Sequence, residues 1–431
     1  MITRLKHFIE RFCPSQIISL KYLFIIVYLL SQPVQAAENG ADEGNSEFEG
    51  AATFDECLAN LQQIATNQGI PPLLAAKTLA KVSFLPDIIK FDRRQPEFTV
   101  TFADYLGRRV TDERIERGRE LLYENRDLLN RLVDTYGIPP QYLISFWGLE
   151  TNYGSYLGSI STLDALATLA CDQRRSSFFT TELLNAMRLL EKPGVREPLL
   201  GSWAGAMGHT QFMPSAYLQY AVDGNGDGEV DLWTSVADAL TSAANFLHHL
   251  GWKRGFRWGR EVRLPEDFSF DKLGLRNKQS YEEWRKAGIR TAKNTPLPSI
   301  SSGTQLEAAL LLPSGYQGPA FLVYENFEVI MRWNRSQFYA LAVGHLADRI
   351  NGAGTLVQQP PENQPRLSIA QVKEMQTRLQ ALGFDPGTPD GILGPATRQA
   401  IRDFQISAGL KPDGYPSEQV FTGLNMTFSK P

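Results

Sequence analysis

Apolar residues recur at three- and four-residue steps through much of the chain before residue 250, in segments opened by proline and stopped by glycine. This punctuation commits the region to helices packed on helices. Phe54, Cys57, Leu58, Leu61, Ile64 and Ala65 make one helical face that Gly69 stops, and Pro71-Pro72 opens a second helix through Leu79. From Asp112 to Tyr136 the apolar side is Ile115, Leu121, Leu122, Leu128, Leu129 and Leu132, with Gly137 as the stop and Pro139-Pro140 as the next start. Further helices are predicted at 163–169, 178–191 and 236–250. Alternation over 320–324 and 327–333, with Glu325-Asn326 between them, predicts a small β-hairpin. The fold class expected is mainly α, of the α+β kind.

At 431 residues the chain can hold two or three domains. A net charge of -4 offers no electrostatic case for nucleic acid. Residues 1–36 read as an export signal: Arg4, Lys6, Arg11 and Lys21, an apolar run at 22–30, then Val34-Gln35-Ala36. That run is short for a retained membrane anchor. Residues 37–52 are predicted to be flexible, 53–352 to form the main domain, and 353–366, rich in Gly, Gln, Pro and Asn, to be a semi-extended linker. Residues 367–425 form a small second unit with helical patterns at 369–382 and 397–408. It contains neither Cys nor His, so binding is its economical role. With Cys13 in the signal, Cys57 and Cys171 remain, either as one disulfide or as two buried thiols.

Ser145-Phe-Trp-Gly-Leu-Glu150-Thr-Asn-Tyr153-Gly154 places one carboxylate in an apolar, aromatic run. Desolvation there raises a carboxyl pKa toward the range of a general acid; the alternative is an exposed Glu at a helix end. A second run, from Ser202 through Met207, Gly208 and Gln211 to Tyr217, reads as a sugar-binding groove or as a packed turn. Asp223, Asn225, Asp227 and Glu229, with Gly228 at the sixth position, are spaced as in a calcium loop. Position twelve is Thr234, which leaves Asp238 as the expected last ligand for a structural Ca²⁺. A solvated Asp/Gly turn is the other reading.

Glu150-Thr-Asn-Tyr-Gly154, Leu163-Asp-Ala-Leu-Ala-Thr-Leu169, Gly205-Ala-Met-Gly208, Gln211-Phe-Met-Pro-Ser215 and the Asp-rich loop together resemble the lytic murein transglycosylases of the B type, glycoside hydrolase family 103. Val372, Gln376, Leu379, Leu382-Gly383 and Asp390-Gly-Ile-Leu-Gly-Pro-Ala-Thr397 are similar to the type 1 peptidoglycan-binding domain. The resemblance implies a lysozyme-like catalytic domain and a small helical C-terminal domain, with Glu150 as the single acid/base. It implies substrate contacts by Ser202, Gln211, Tyr153 and Met207, and by Arg174 and Arg175 near the peptide stems. Trp333, Asn334 and Tyr339 fall where the family has a Tyr-Asn pair and a later Tyr, so Trp333 replaces a hydroxyl.

The activity implied is non-hydrolytic cleavage of peptidoglycan to 1,6-anhydromuramic ends, with no catalytic cofactor, in the periplasm. A hydrolytic muramidase using Asp164, or a non-catalytic wall-binding scaffold, are the competing readings. The expected partner is peptidoglycan, its glycan strands and stem peptides, with a meeting with cell-wall synthesis enzymes left open.

Overall fold

The computed structural model describes residues 50–94, 100–195, 197–300 and 305–427. The expected export signal and most of the flexible N-terminus lie outside the described residues. Among the described residues no helix is long and apolar enough to cross a membrane. The first helix, Gly50–Asn67, starts before the predicted boundary at Phe54.

Helix Pro140–Thr151 sits at the centre of the largest core. Nine of its twelve residues are buried, as a helix apolar on all sides requires. It packs on helix Gln337–Ile350, where the Ser145 hydroxyl donates to the Val343 carbonyl at 2.7 Å. Gly344 is needed there because a Cβ would lie 2.2 Å from the Trp258 ring. Helices Phe102–Arg109, Asp112–Glu124 and Arg126–Tyr136 complete this side. The single helix expected over 112–136 is therefore two, joined at Asn125, whose side chain donates to the Leu121 carbonyl and competes with helix continuation.

A second core gathers helices Gly50–Asn67, Pro72–Leu79, Thr162–Cys171 and Ser176–Leu189. Cys57 and Cys171 are joined across it as a disulfide, 114 residues apart in sequence.

Strands β1 (Ile160–Ser161) and β2 (Leu200–Gly201) pair antiparallel, bringing the start of the second glycine-rich run to the loop after Glu150. A five-stranded antiparallel sheet contains β3 (Gly259–Arg263), β4 (Gln279–Ser280), β5 (Arg290–Thr291), β6 (Glu307–Leu311) and β7 (Ala320–Val323), in the order β4-β6-β7-β3-β5.

The predicted hairpin is corrected: 320–323 is a strand, but Glu325–Trp333 is a helix. Phe327, Val329, Met331 and Trp333 fit period two, while Asn326, Phe327 and Ile330 fit helical steps. Burial decides for the helix, because Asn326 is enclosed and its amide bonds Lys253 and Phe256 of a distant loop.

The C-terminal unit has helices Ile369–Ala381 and Pro395–Ser407 near the predicted places, plus an unpredicted Glu418–Gly423. Gln376 organises it. Its buried amide donates to Asp390, Ile392 and Thr397 and accepts from Gly391, so one side chain shapes the whole Asp390–Thr397 turn.

The stretch 353–366 is not a free linker. The Val357 and Gln358 N–H groups donate to the Glu261 carboxylate at 2.9 and 2.8 Å, and the Gln364 amide donates to the Ser314 carbonyl. Arg366 forms a two-pronged pair with Asp104, and Asp413 of the C-terminal unit accepts from the Tyr316 N–H. Protein groups satisfy much of the polarity of this linker.

Candidate active site

Glu150 lies in the last turn of helix Pro140–Thr151, which three successive left-handed residues terminate: Asn152, Tyr153 and Gly154, with φ of 49, 60 and 79°. The chain turns sharply away, and Glu150 keeps partial exposure among buried neighbours. Gly154 has no room for a side chain, since a Cβ would lie 2.2 Å from the His209 ring.

Two donors converge on one oxygen of Glu150. The Tyr339 hydroxyl donates to Oε1 at 2.5 Å and the Trp333 indole N–H donates to the same atom at 2.8 Å. Trp333 closes helix Glu325–Trp333 and Tyr339 lies in the first turn of helix Gln337–Ile350, so the two flank the connection between these helices. Asn334 shapes it by accepting from the Ser336 N–H, and Ser336 caps the following helix by accepting from Tyr339.

Among the described residues no hydrogen bond engages Oε2. With Oε1 accepting twice, the proton of the neutral acid belongs on Oε2. Burial pushes the Glu150 carboxyl above its ordinary value, opposed by the bonds from Tyr339 and Trp333 and by the Arg109 charge. Tyr339 is itself held well above the usual phenol range, first by burial and then by the Glu150 charge.

Trp333 also organises the surrounding aromatics. Its ring lies 4.6 Å from Phe146, 5.2 Å from Phe246 and 5.5 Å from Phe212, measured between centroids. Phe212 belongs to the second glycine-rich run, so the indole links that run to the acid. The run is also pinned to the acid's helix: the Trp147 N–H donates to His209 Nδ1 at 3.0 Å, and the Thr151 hydroxyl donates to the His209 carbonyl at 2.8 Å. The indole N–H is thus a donor to the acid at the position where the resemblance implied a tyrosine.

The run itself is a tight turn. Met207 and Phe212 exchange backbone hydrogen bonds at 2.9 Å, and Gln211 takes φ of 50°. Ser202 Oγ accepts from the Ala206 N–H, and the Gln211 amide donates to the Leu157 and Gly208 carbonyls. The Ser202 hydroxyl proton and Gln211 Oε1 enter no hydrogen bond among the described residues. Both residues are partly exposed, so the two atoms can meet a ligand.

Other predicted contacts have different places. Met207 is fully buried, so its side chain is core rather than groove wall. The Tyr153 hydroxyl donates to the Arg114 carbonyl, and its ring packs edge-on against Trp147. Arg174 and Arg175 both pair with the enclosed carboxylate of Asp92, and Arg175 also stacks on Phe179. A buried carboxylate demands such compensation. Asp164 accepts from the Ser83 N–H.

In the Asp-rich loop, Asp223 accepts from the Gly226 and Gly228 N–H groups, and Asn225 and Asp227 accept from neighbouring N–H groups. Asp238, expected as the last calcium ligand, is 1% exposed; its oxygens accept from Gly224, Asn225 and Asp231, so it frames the loop. Among the described residues no group of three His, Cys, Asp or Glu side chains is gathered to hold a metal ion. The alternate oxygen donors of Asp223, Asn225 and Asp227 fit calcium chemically, and the Asp238 carboxylate, turned toward the same loop, accepts its backbone N–H bonds.

Sequence reading missed His209, Phe212, Phe246 and Arg109. His209 and Phe212 stand inside a recognised run, but their partners are distant in the chain and no local spacing marks them.

Residues 53–348 match the family of transglycosylase SLT domains, and residues 368–424 match a peptidoglycan binding domain family. The chain is 35% identical over 342 residues to membrane-bound lytic murein transglycosylase B of Escherichia coli strain K12, covering 75% of this chain and 88% of that protein. It is similar to SltB3 from Pseudomonas aeruginosa, solved in complex with NAG-anhNAM-pentapeptide. That likeness has 40% identity and a TM-score of 0.83, over 87% of this chain and all of that one. The Escherichia coli lytic transglycosylase Slt35, solved in complex with calcium, is 29% identical with a TM-score of 0.59, over 71% of this chain and 94% of that one.

Proposed function

Because the chain belongs to the transglycosylase SLT domain family, we propose that Glu150 serves in turn as acid and base in the lytic cleavage of peptidoglycan. The enzyme is a lytic murein transglycosylase: it breaks the β-1,4 bond from N-acetylmuramic acid to N-acetylglucosamine and leaves 1,6-anhydromuramic ends. The observation that carries the residue assignment is a partly exposed acid with Oε1 doubly held and Oε2 open.

Glu150 Oε2 gives its proton to the glycosidic oxygen as that bond breaks, and the leaving N-acetylglucosamine carries it away as a hydroxyl. The substrate's acetamido group stabilises the electron-poor C1. The ionised Glu150, held by Tyr339 and Trp333, then takes the proton of the muramoyl C6 hydroxyl as that oxygen bonds to C1. Proton and electron pair are both restored and no water is consumed. The nucleophile is intramolecular, which raises its effective concentration. The charge that acts on Glu150 is that of Arg109, and Asp164 is engaged with Ser83, so the two-carboxylate arrangement of a hydrolase gains no support. Mass spectrometry of digested murein tests this: anhydro ends are expected, and reducing muramic ends alone would establish hydrolysis.

Tyr339→Phe removes the stronger of the two bonds that lower the Glu150 pKa. It should cut kcat about tenfold and move the alkaline limb of the pH–rate profile upward. An unmoved limb would show that the hydroxyl does not tune the acid.

The C-terminal unit binds peptidoglycan, and the leader at 1–36 is read as directing export to the periplasm. Calcium is proposed for the loop, held by Asp223, Asn225, Asp227 and the Glu229 carbonyl as a structural ion. Its addition should raise the melting temperature by a few degrees, on the order of 1–3 kcal/mol at saturating ion. A flat calcium titration would remove it.

A further inference from the structure

Arg109 is a cation on the acid's side of the fold with no carboxylate partner among the described residues. It is the last residue of helix Phe102–Arg109 and is exposed. Its guanidinium stands 5.6 Å from the centroid of Tyr105, whose ring lies 5.9 Å from that of Phe338, next in the chain to Tyr339. Its charge reaches both Glu150 and Tyr339. Its backbone is fixed: Arg114 donates to the Arg109 carbonyl at 2.5 Å and to Asn152, two residues past the acid, at 3.1 Å.

The side chain is treated differently. Among the described residues no carboxylate pairs with Arg109, while Arg174 and Arg175, the arginines expected near the peptide stems, are both committed to Asp92. An aromatic face pre-orients a guanidinium without cancelling its charge, and a planar fork suits a carboxylate.

We propose that Arg109 is an anion subsite at the rim of the Glu150 site, receiving a carboxylate of the substrate. This rests on the reading of the substrate as murein. Two sources share that chemistry: the stem peptide, and the lactyl carboxylate bared when the peptide is removed. Arg109 thus selects among strands and neither gives nor takes the transferred proton.

The test measures kcat and KM of the full chain, Arg109→Gln and Arg109→Lys on three probes. These are peptide-bearing murein strands, the same strands with their carboxylates amidated, and strands stripped of peptide by an amidase. Arg109→Gln should raise KM about tenfold on peptide-bearing strands, as expected for loss of one charge-assisted contact, while any change in kcat from the lost charge near Glu150 is common to all three probes. Amidation should remove most of that penalty, and Arg109→Lys, which keeps the charge but not the planar fork, should recover part of the affinity. A penalty confined to peptide-bearing strands assigns the stem carboxylate, and one that appears only on stripped strands assigns the lactyl group. A KM unmoved on all three probes would overturn the subsite. Failure of the unaltered enzyme to form anhydro ends from any probe would overturn the proposed function itself, and the subsite with it.

Discussion

Glu150→Gln is expected to lower anhydro-product formation by about a thousandfold or more, the scale of losing a positioned acid and base together. The amide keeps a carbonyl oxygen able to accept from Tyr339 and Trp333, so the aromatic cluster should stay in place. It has no proton to give from the position of Oε2.

The same substitution should stabilise the protein at neutral pH. Burial raises the Glu150 carboxyl above 4.5, so the folded chain holds that proton more tightly than the unfolded chain. The stability this group contributes is present below pH 4.5 and is lost as pH rises through the folded-state value. The amide has no such loss. Its advantage in chemical unfolding should therefore appear above pH 4.5, grow through the folded-state pKa and vanish in acid. Near-normal turnover would refute the acid assignment, and an advantage that grew toward acid would refute the electrostatic one.

Removing the Cys57–Cys171 bridge should have the largest effect on stability. It closes a 114-residue separation, and opening so long a loop costs about 2–5 kcal/mol by its effect on the unfolded chain. A fall in melting temperature of about 10 °C is expected from reduction, or from Cys57→Ser with Cys171→Ser. Catalysis at 25 °C should be little changed. The bridge lies in the core of helices Gly50–Asn67 and Thr162–Cys171, whereas the acid's helix belongs to the other core. Coincident melting of oxidised and reduced protein would show that the bridge adds nothing. Activity lost while the fold persists would show that the two cores are coupled.

Much of the helical architecture was legible because proline starts, glycine stops and apolar steps are local. Glu150 was legible for a similar reason: a carboxylate inside Phe146, Trp147, Leu149 and Tyr153 is unusual in any fold. The errors have non-local causes. Residues 327–333 satisfy two periodicities at once, and only the burial of Asn326 against the loop at Lys253 selects the helix. The 353–366 stretch reads as a linker from its polarity, and what composition could not show is that its N–H groups find Glu261 and its Arg366 finds Asp104. Met207 and Tyr153 stand in the right runs, but their side chains serve packing, because a glycine-rich turn that brings backbone close also encloses its larger neighbours.

By itself the sequence determined that there would be helices around one acid, a small C-terminal binding unit and a pair of cysteines, since each depends on residue type and near spacing. Only the tertiary structure decided that Trp333 and Tyr339 hold the same oxygen of Glu150, that Arg174 and Arg175 pair with Asp92, and that Arg109 has no carboxylate partner among the described residues. The physical reason is range. Periodicity is set by the backbone within a few residues, whereas the protonation and orientation of an acid depend on donors and charges that the fold gathers from far along the chain.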